Sequence, residues 1–373
     1  MKKLCLTITC MILTIVLVGG TTAHAISPIQ EVTTFVGNGE FTQEDGAALS
    51  ASFRMPNSIV TLPDGTVLVS DSSNQVIRSI QNDEVNSYAG ITFDLDDYGI
   101  PIGAWSDGDK ELAVFSNPSG MAADEEGNVY VADAENNRIR KISKDGQVTT
   151  IAGDGYIGRK GGDGLTARFA YPQDIAIAKD GTLYVADTLN HTIRKITVEG
   201  KVSTLNSYST RAIEVVDGSA EMAGDYLDGK IKHAKFNEPS GLAIDSKGNL
   251  YVSDTGNQLI RYIDFSTNRV TTVAGNLDHS SSISESNAMY ATGGYSDGKA
   301  LEASFNFPKG LSVTKENGVI IADSLNHSIR YLLDGNVYTL AENLHNPTDV
   351  AIMQDGSILI ADSYNNLVSQ LEG

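Results

Sequence analysis

Hydrophobic and polar positions along the chain follow one pattern that recurs six times. Each copy places a proline before a short apolar stretch, then glycine, then a β-branched and apolar run that ends in a small residue and aspartate. The prolines are Pro56, Pro118, Pro172, Pro239, Pro308 and Pro347, and the aspartates are Asp71, Asp133, Asp187, Asp254, Asp323 and Asp362. Because the interval from proline to aspartate is 15 residues in every copy, the chain is a repeat protein.

The apolar segments within a copy have the length and residue types of β-strands. In the fourth copy they cover 241–245, 249–253, 259–263 and 270–274, with turn residues between them. The second strands are apolar at almost every position, so both faces of each sheet must be covered by neighbouring sheets. The pattern therefore predicts an all-β fold of six four-stranded antiparallel sheets.

The two ends of the chain carry complementary parts of one sheet. The sixth copy ends at Leu371 after its third strand, whereas 32–37 precedes the first copy and resembles the fourth strands at 148–153 and 270–275. Pairing of this N-terminal strand with the last sheet leaves no strand without a partner. We therefore expect a six-bladed β-propeller of four-stranded antiparallel blades, closed by the N-terminal strand completing the last blade.

Two further positions recur with the aspartate. An asparagine follows it by three residues in all six copies, and an arginine follows it by seven residues in five copies, with Ser369 in the sixth. We expect the arginines to pair with carboxylates or carbonyl groups between blades. The combination of a proline-glycine strand, Ala-Asp, asparagine and Ile-Arg resembles the NHL repeat, and the resemblance covers 29–371. It implies a propeller whose relatives are extracellular sensors, platforms for protein or RNA, and occasionally lyases or lactonases.

Five copies are also preceded by Asp-Gly, with a phenylalanine six or eight residues after the aspartate. These aspartates are Asp45, Asp107, Asp163, Asp228 and Asp297. We interpret each aspartate as the cap of a short turn and each phenylalanine as a plug between blades. A ring of carboxylates that binds cations is the alternative.

Composition and the N-terminus indicate where the protein acts. The chain has 27 Lys and Arg against 47 Asp and Glu, a balance that argues against a nucleic-acid partner. Two lysines precede an apolar run at 4–18, which is shorter than the roughly 20 residues of a membrane span and ends near the small residues before position 26. We expect residues 1–25 to be a secretory signal peptide and 26–373 to be a single NHL-type propeller domain, secreted and without a membrane span.

The enlarged connections of the repeat all run from a fourth strand to the next first strand. They lie at 91–114, 154–168, 206–235 and 276–304, and an antiparallel blade places them on one face, which we call the long-loop face. Aromatic residues in these loops are the candidate binding residues: Trp105, Tyr98, Tyr156, Tyr226 and Tyr295. Together with loop carboxylates they suit a glycan or a cationic peptide, although packing within the loops is the alternative. The favoured function is a non-catalytic module for an extracellular protein, peptide or glycan.

An enzyme remains the second hypothesis. Asp174 and Asp349 replace glycine in the first strands of copies three and six, so they would face each other across the channel. A lyase or lactonase could use them to hold a divalent cation, calcium or zinc, whereas the binding module needs no cofactor. The common hydrolase motifs are missing from the sequence, and His191 and His327 stand two blades apart, too far to share a metal. The sequence therefore favours binding over catalysis.

Overall fold

The computed structural model describes residues 29–216, 218–278, 283 and 286–372. The expected signal peptide at 1–25 lies outside the described residues. The described residues form six antiparallel sheets arranged as the blades of a propeller. The first strand of each blade contacts the first strands of both neighbouring blades, and blade 6 contacts blade 1 in the same way. These six strands surround a central channel.

Blades 1 to 3 each contain five strands, and in each blade the short strand at the outer edge comes first in the chain. Blade 1 contains Gly46–Ala47, Pro56–Thr61, Val67–Asp71, Val76–Gln81 and Glu84–Ala89. Blade 2 contains Gly108–Asp109, Pro118–Ala123, Val129–Asp133, Arg138–Ile142 and Gln147–Ala152. Blade 3 contains Gly162–Asp163, Pro172–Ile177, Leu183–Asp187, Thr192–Ile196 and Lys201–Thr204.

Blades 4 and 5 repeat this order, and blade 6 has four strands. Blade 4 contains Gly229–Lys230, Pro239–Ile244, Leu250–Asp254, Leu259–Asp264 and Arg269–Ala274. Blade 5 contains Gly298–Lys299, Pro308–Val313, Val319–Asp323, Ser328–Leu333 and Asn336–Ala341. Blade 6 contains Pro347–Ile352, Ile358–Asp362, Leu367–Leu371 and, from the start of the chain, Thr33–Val36.

The remaining elements are short. Two hairpins extend from the connections, Asp94–Leu95 with Pro101–Ile102 and Ala212–Val216 with Ser219–Met222. The turns between the second and third strands form 3-10 helices at Ser72–Asn74, Thr188–Asn190, Thr255–Asn257, Ser324–Asn326 and Ser363–Asn365. Two more 3-10 helices, Gly164–Thr166 and Ile231–His233, follow outer strands.

Five of the six blades carry one strand more than the sequence predicts. The Asp-Gly segments, which the sequence pattern suggested were turn caps, form two-residue strands that pair with the fourth strand, as Gly46 does with Val85. Each begins at or beside a glycine with φ between 103° and 136°, a conformation that other residues rarely adopt. A two-residue strand has no hydrophobic alternation to detect, so the repeat pattern could predict only the inner four strands.

The N-terminal strand lies in blade 6. Thr33–Val36 pairs antiparallel with Leu367–Leu371, with Thr34 opposite Ser369. Val36 is buried in a cluster that also contains Phe53 of the first blade and Leu359 of the last. Similar buried clusters lie between every other pair of neighbouring blades. The junction of the two chain ends is therefore packed like the other five.

A buried ion pair stabilises each of the first five blades. The arginine of the repeat donates to the aspartate seven residues before it, as Arg330 does to Asp323 over 2.7 Å with both side chains inaccessible to solvent. The pairs are Arg78–Asp71, Arg140–Asp133, Arg194–Asp187, Arg261–Asp254 and Arg330–Asp323. These pairs lie within a blade, not between blades, because the two residues are diagonal neighbours on the second and third strands, with Asp323 opposite Ser328 and Arg330 opposite Ile321. In blade 6, Ser369 lies 3.4 Å from Asp362 in the arginine's place.

The outer aspartates complete the same cluster. Asp45, Asp107, Asp228 and Asp297 each bind the arginine of their own blade, while Asp163 pairs with Lys201 instead. Each buried phenylalanine, from Phe53 to Phe305, lies under an arginine guanidinium at 5.0–5.3 Å. These carboxylates are already neutralised by protein cations, which supports the structural interpretation over a ring of cation sites.

Candidate functional site

The long-loop face surrounds the mouth of the central channel. The first strands begin there, and the residue before each first-strand proline has a left-handed backbone with φ of 48–57°. These residues are Met55, Asn117, Tyr171, Glu238, Phe307 and Asn346. Such a conformation is costly for residues other than glycine and asparagine, so the surrounding structure must hold it in place.

A ring of six hydrogen bonds between blades holds these residues. The N–H of each one donates to the side chain of the residue that follows the repeat's asparagine in the preceding blade. The acceptors are Gln75, Asn137, His191, Gln258, His327 and Asn366, at distances of 2.5–3.2 Å. His191 and His327 accept through Nδ1, which requires a neutral ring, and burial lowers the pKa of His191 to about 4. Both histidines are thus part of the scaffold at the mouth.

Polar side chains line a cavity of about 190 Å³ inside this ring. Of the described residues that line it, Lys309 alone is charged, and none is a carboxylate. The side chains of Asn57, Gln173 and Asn346 share the cavity with the aromatic residues Tyr171 and Tyr364. Lys309, Asn57 and Gln173 each directly follow the proline of their blade, so closure of the ring brings them together.

The two candidate metal ligands lie in a separate chamber of the channel. Asp174 and Asp349 both line this chamber of about 280 Å³, so the fold brings them together from blades 3 and 6. Asp174 accepts the N–H of Leu242 at 2.7 Å, and Asp349 accepts that of Ile59 at 2.9 Å. Burial raises the pKa of both carboxyls, Asp349 to about 6, and the Asp349 charge raises that of Asp174 further.

This chamber provides few metal ligands. Within the described parts of the chain, no group of three or more His, Cys, Asp or Glu side chains is placed to hold a metal ion. Calcium takes six to eight oxygen ligands, and structural zinc usually has four nitrogen or sulfur ligands. The two carboxylates, which already accept backbone N–H groups, do not by themselves form either set.

The candidate aromatic residues occupy different blades. Tyr226 and Tyr295 lie against the buried Arg261 and Arg330 at 4.8 and 4.9 Å, so they extend the ion-pair clusters of blades 4 and 5. Trp105 occupies the same position in blade 2, two residues before the outer aspartate, and its Nε1 donates to Thr150 at 3.1 Å. Tyr156 is exposed beside Arg168 near blade 3. The structure does not gather these four side chains into one site.

Tyr98 has a different environment. It lies between the two strands of the hairpin Asp94–Leu95 and Pro101–Ile102 and is 90% exposed. Other large apolar side chains in the same connection are also exposed: Ile91, Phe93, Leu95, Ile102 and Trp105. The hairpin is fixed to blade 1, because Arg54 donates to the carbonyl of Gly99 at 3.1 Å and Gln75 donates to that of Pro101 at 3.2 Å. We call residues 91–105 the aromatic hairpin segment.

Comparison with known proteins identifies the repeat. The NHL repeat family model matches residues 115–142, 169–196, 236–261 and 344–371, which lie in blades 2, 3, 4 and 6. The chain is 39% identical over 94 residues to Protein SUPPRESSOR OF QUENCHING 1, chloroplastic, of Arabidopsis thaliana, covering 25% of this chain and 8% of that protein. It is 31% identical over 173 residues to NHL repeat-containing protein 2 of Bos taurus, covering 44% and 21%. The matches thus span about a fifth or less of these relatives.

Solved structures share the architecture at low identity. An auxiliary nutrient binding protein from Bacteroides thetaiotaomicron aligns with a TM-score of 0.62 and 13% identity, over 91% of this chain and 75% of that one. A streptogramin B lyase aligns with a TM-score of 0.54 and 14% identity, over 88% and 96%. At such identities the likeness shows the fold alone. Among the described residues, no helix has the length and apolar character of a membrane span. The chain therefore contains four matched NHL repeats and has the fold of a six-bladed β-propeller.

Proposed function

We propose that this protein is a secreted, non-catalytic binding module that captures an extracellular protein, peptide or glycan on its long-loop face. The observation that carries the proposal is the aromatic hairpin segment, where Phe93 and Tyr98 are 64% and 90% exposed. A cluster of exposed large apolar side chains on one loop is typical of an interaction surface. Because Arg54 and Gln75 fix the hairpin to blade 1, a partner would not have to order it on binding.

The proposal is tested by replacing the exposed side chains of the segment. Wild-type protein is screened against a glycan array and a displayed peptide library, and the strongest ligand is titrated against Phe93→Ser/Tyr98→Ser. The matched control is Val198→Ser, which removes a 66% exposed side chain from a strand connection on the opposite face. We expect the double variant to bind at least about tenfold more weakly at an unchanged melting temperature, with the control unchanged. Equal affinity of the double variant and wild type would overturn the assignment of the surface.

Export is a separate part of the proposal and rests on the N-terminal sequence. Two lysines, an apolar run at 4–18 and the small residues at Ala23 and Ala25 are typical of a cleaved signal. Expression of the whole chain in a secreting host, followed by mass spectrometry of the exported protein, is expected to give an N-terminus at residue 26. Retention of the whole chain inside the cell would contradict this part.

A lyase or lactonase that acts in the channel is the second candidate. The observation in its favour is the shared chamber of Asp174 and Asp349, two carboxyls whose pKa values are raised by burial. Perturbed acids in a cavity are common in catalytic sites. Purified protein is assayed with a lactone panel and a cyclic depsipeptide, with and without calcium or zinc, beside Asp174→Asn/Asp349→Asn. Turnover that the double variant loses would favour the enzyme over the binding module.

A further inference from the structure

The cavity at the channel mouth differs in charge from the rest of the molecule. The chain carries 47 acidic against 27 basic residues, yet none of the described residues that line this cavity of about 190 Å³ is acidic. Among these lining residues, Lys309 is the one that carries a charge. Glu238 belongs to the surrounding ring and the Glu135 charge acts on Tyr171, but the lining itself offers a cation and no carboxylate, so it is suited to an anion rather than to a cation.

The Lys309 ammonium is not used by the fold. Within the part of the chain that the structure describes, it takes part in none of the ion pairs, and no hydrogen bond engages its Nζ. Burial lowers the pKa of Lys309, and no neighbouring carboxylate acts to raise it. Lys309 is partly buried, and a ligand anion would supply the opposite charge that none of the described residues supplies there.

Neutral donors line the same cavity as Lys309. Among the described residues, the side-chain amides of Asn57, Gln173 and Asn346 line the cavity without a hydrogen bond to the protein. Tyr171 accepts a hydrogen bond from Asn117 at 2.6 Å, so its hydroxyl proton is available to another acceptor. The mouth therefore offers one cation and several hydrogen-bond donors held by the ring of bonds between blades.

We propose that the channel mouth is a binding site for the carboxylate group of a small organic acid or of a peptide C-terminus. One ammonium with amide and hydroxyl donors matches a singly charged planar anion, whereas a doubly charged phosphate would meet only one cation. Asp174 and Asp349 line the neighbouring chamber and oppose deeper entry of an anion. This site involves residues other than the aromatic hairpin segment, so it stands apart from the proposed function.

The test measures thermal stabilisation and affinity with carboxylate probes at low ionic strength. Acetate, lactate and gluconate represent small acids, each paired with its amide, and an N-acetylated alanine peptide with a free C-terminus is paired with its C-terminal amide. We expect at least one carboxylate to raise the melting temperature at millimolar concentration while its amide has no effect. Stabilisation by the small acids or by the peptide distinguishes the two sources of the group.

Two variants locate the binding. Lys309→Gln is expected to weaken binding of the responding carboxylate at least about tenfold. Gln173→Leu is expected to weaken the same binding while leaving every charge in place. Lys315→Gln makes the same charge change in blade 5 at an exposed position and is expected to keep wild-type affinity. The proposal is overturned if no carboxylate stabilises the protein, if the amides bind equally well, or if Lys315→Gln loses as much affinity as Lys309→Gln. Phe93→Ser/Tyr98→Ser is expected to leave this response unchanged.

Discussion

The side chain of Asn366 accepts a hydrogen bond at 3.2 Å from the backbone N–H of Met55, although 311 residues separate the two in the chain. This contact joins blade 6 to blade 1, and the same contact joins every other pair of neighbouring blades. The junction of the chain ends therefore has the same bond as junctions within the chain. Its contribution to stability can be measured separately.

Asn366→Gly is expected to lower the free energy of unfolding by about 1–2 kcal/mol, because it leaves the Met55 N–H without its acceptor. Asn366 has a φ of 55°, which glycine adopts readily, so the change removes the side chain without straining the backbone. Asn82→Gly is the control, since Asn82 has a φ of 52° at an exposed turn. Urea unfolding of both variants checks the prediction, and equal losses would show that the bond at the junction contributes little.

Arg330→Met is expected to lower the free energy of unfolding by about 3–5 kcal/mol. Asp323 is fully buried and loses its cation in this variant, while among the described residues Asn326 and the backbone N–H of Asn306 still donate to it. Asp323→Asn/Arg330→Met removes both charges and should be less destabilised than the single arginine variant. Chemical denaturation measures the three proteins. A single variant as stable as wild type would mean that the pair does not stabilise blade 5.

Asp174→Asn/Asp349→Asn is expected to stabilise the protein more at high pH than at low pH. The folded-state pKa of Asp349 is about 6 against 3.8 for the free residue, and that of Asp174 is also raised. Raised carboxyl pKa values make ionisation unfavourable to folding, so wild type loses stability as pH rises from about 4 through the folded-state values. The variant should therefore gain about 1–3 kcal/mol over wild type between about pH 5 and pH 8. A difference that does not vary with pH would contradict the prediction.

Tyr226→Ala is expected to lower the melting temperature, whereas Tyr98→Ala should leave it unchanged. The Tyr226 ring lies 4.8 Å from the Arg261 guanidinium and its hydroxyl lies 3.2 Å from Thr272, so its loss exposes a buried ion pair. Tyr98 is 90% exposed. Differential scanning calorimetry of the two variants separates a packing role from a surface role. The interpretation fails if both variants have the melting temperature of wild type.

Much of the fold could be predicted from the fixed interval between proline and aspartate. That interval sets the length of the first hairpin in every blade, and the number of copies gives the six blades. The arginine pairs were expected between blades but lie within them, because spacing alone does not indicate which strands place Arg330 beside Asp323. The outer two-residue strands were missed because the hydrophobic pattern does not extend to them.

The candidate site was harder to predict. Trp105, Tyr226 and Tyr295 all stand two residues before an outer aspartate, and this repeated position was the available signal that they belong to the scaffold. Lys309 had no comparable signal, since a single lysine after a proline is ordinary in sequence. Its significance depends on Asn57 and Gln173, which lie more than a hundred residues away in the chain and meet it only around the channel.

The residues before the prolines have a left-handed backbone conformation and fix the backbone at the channel mouth. The residues after the prolines are a separate set. Those following positions hold Asn57, Ser119, Gln173, Ser240, Lys309 and Thr348. Thr348 and Ser240 make hydrogen bonds within the scaffold, whereas the side chains of Asn57, Gln173 and Lys309 make none among the described residues, so these three positions can vary in chemistry around one opening. The selectivity of the channel mouth is therefore set by side chains at positions after the prolines, which are spread over some three hundred residues of the chain.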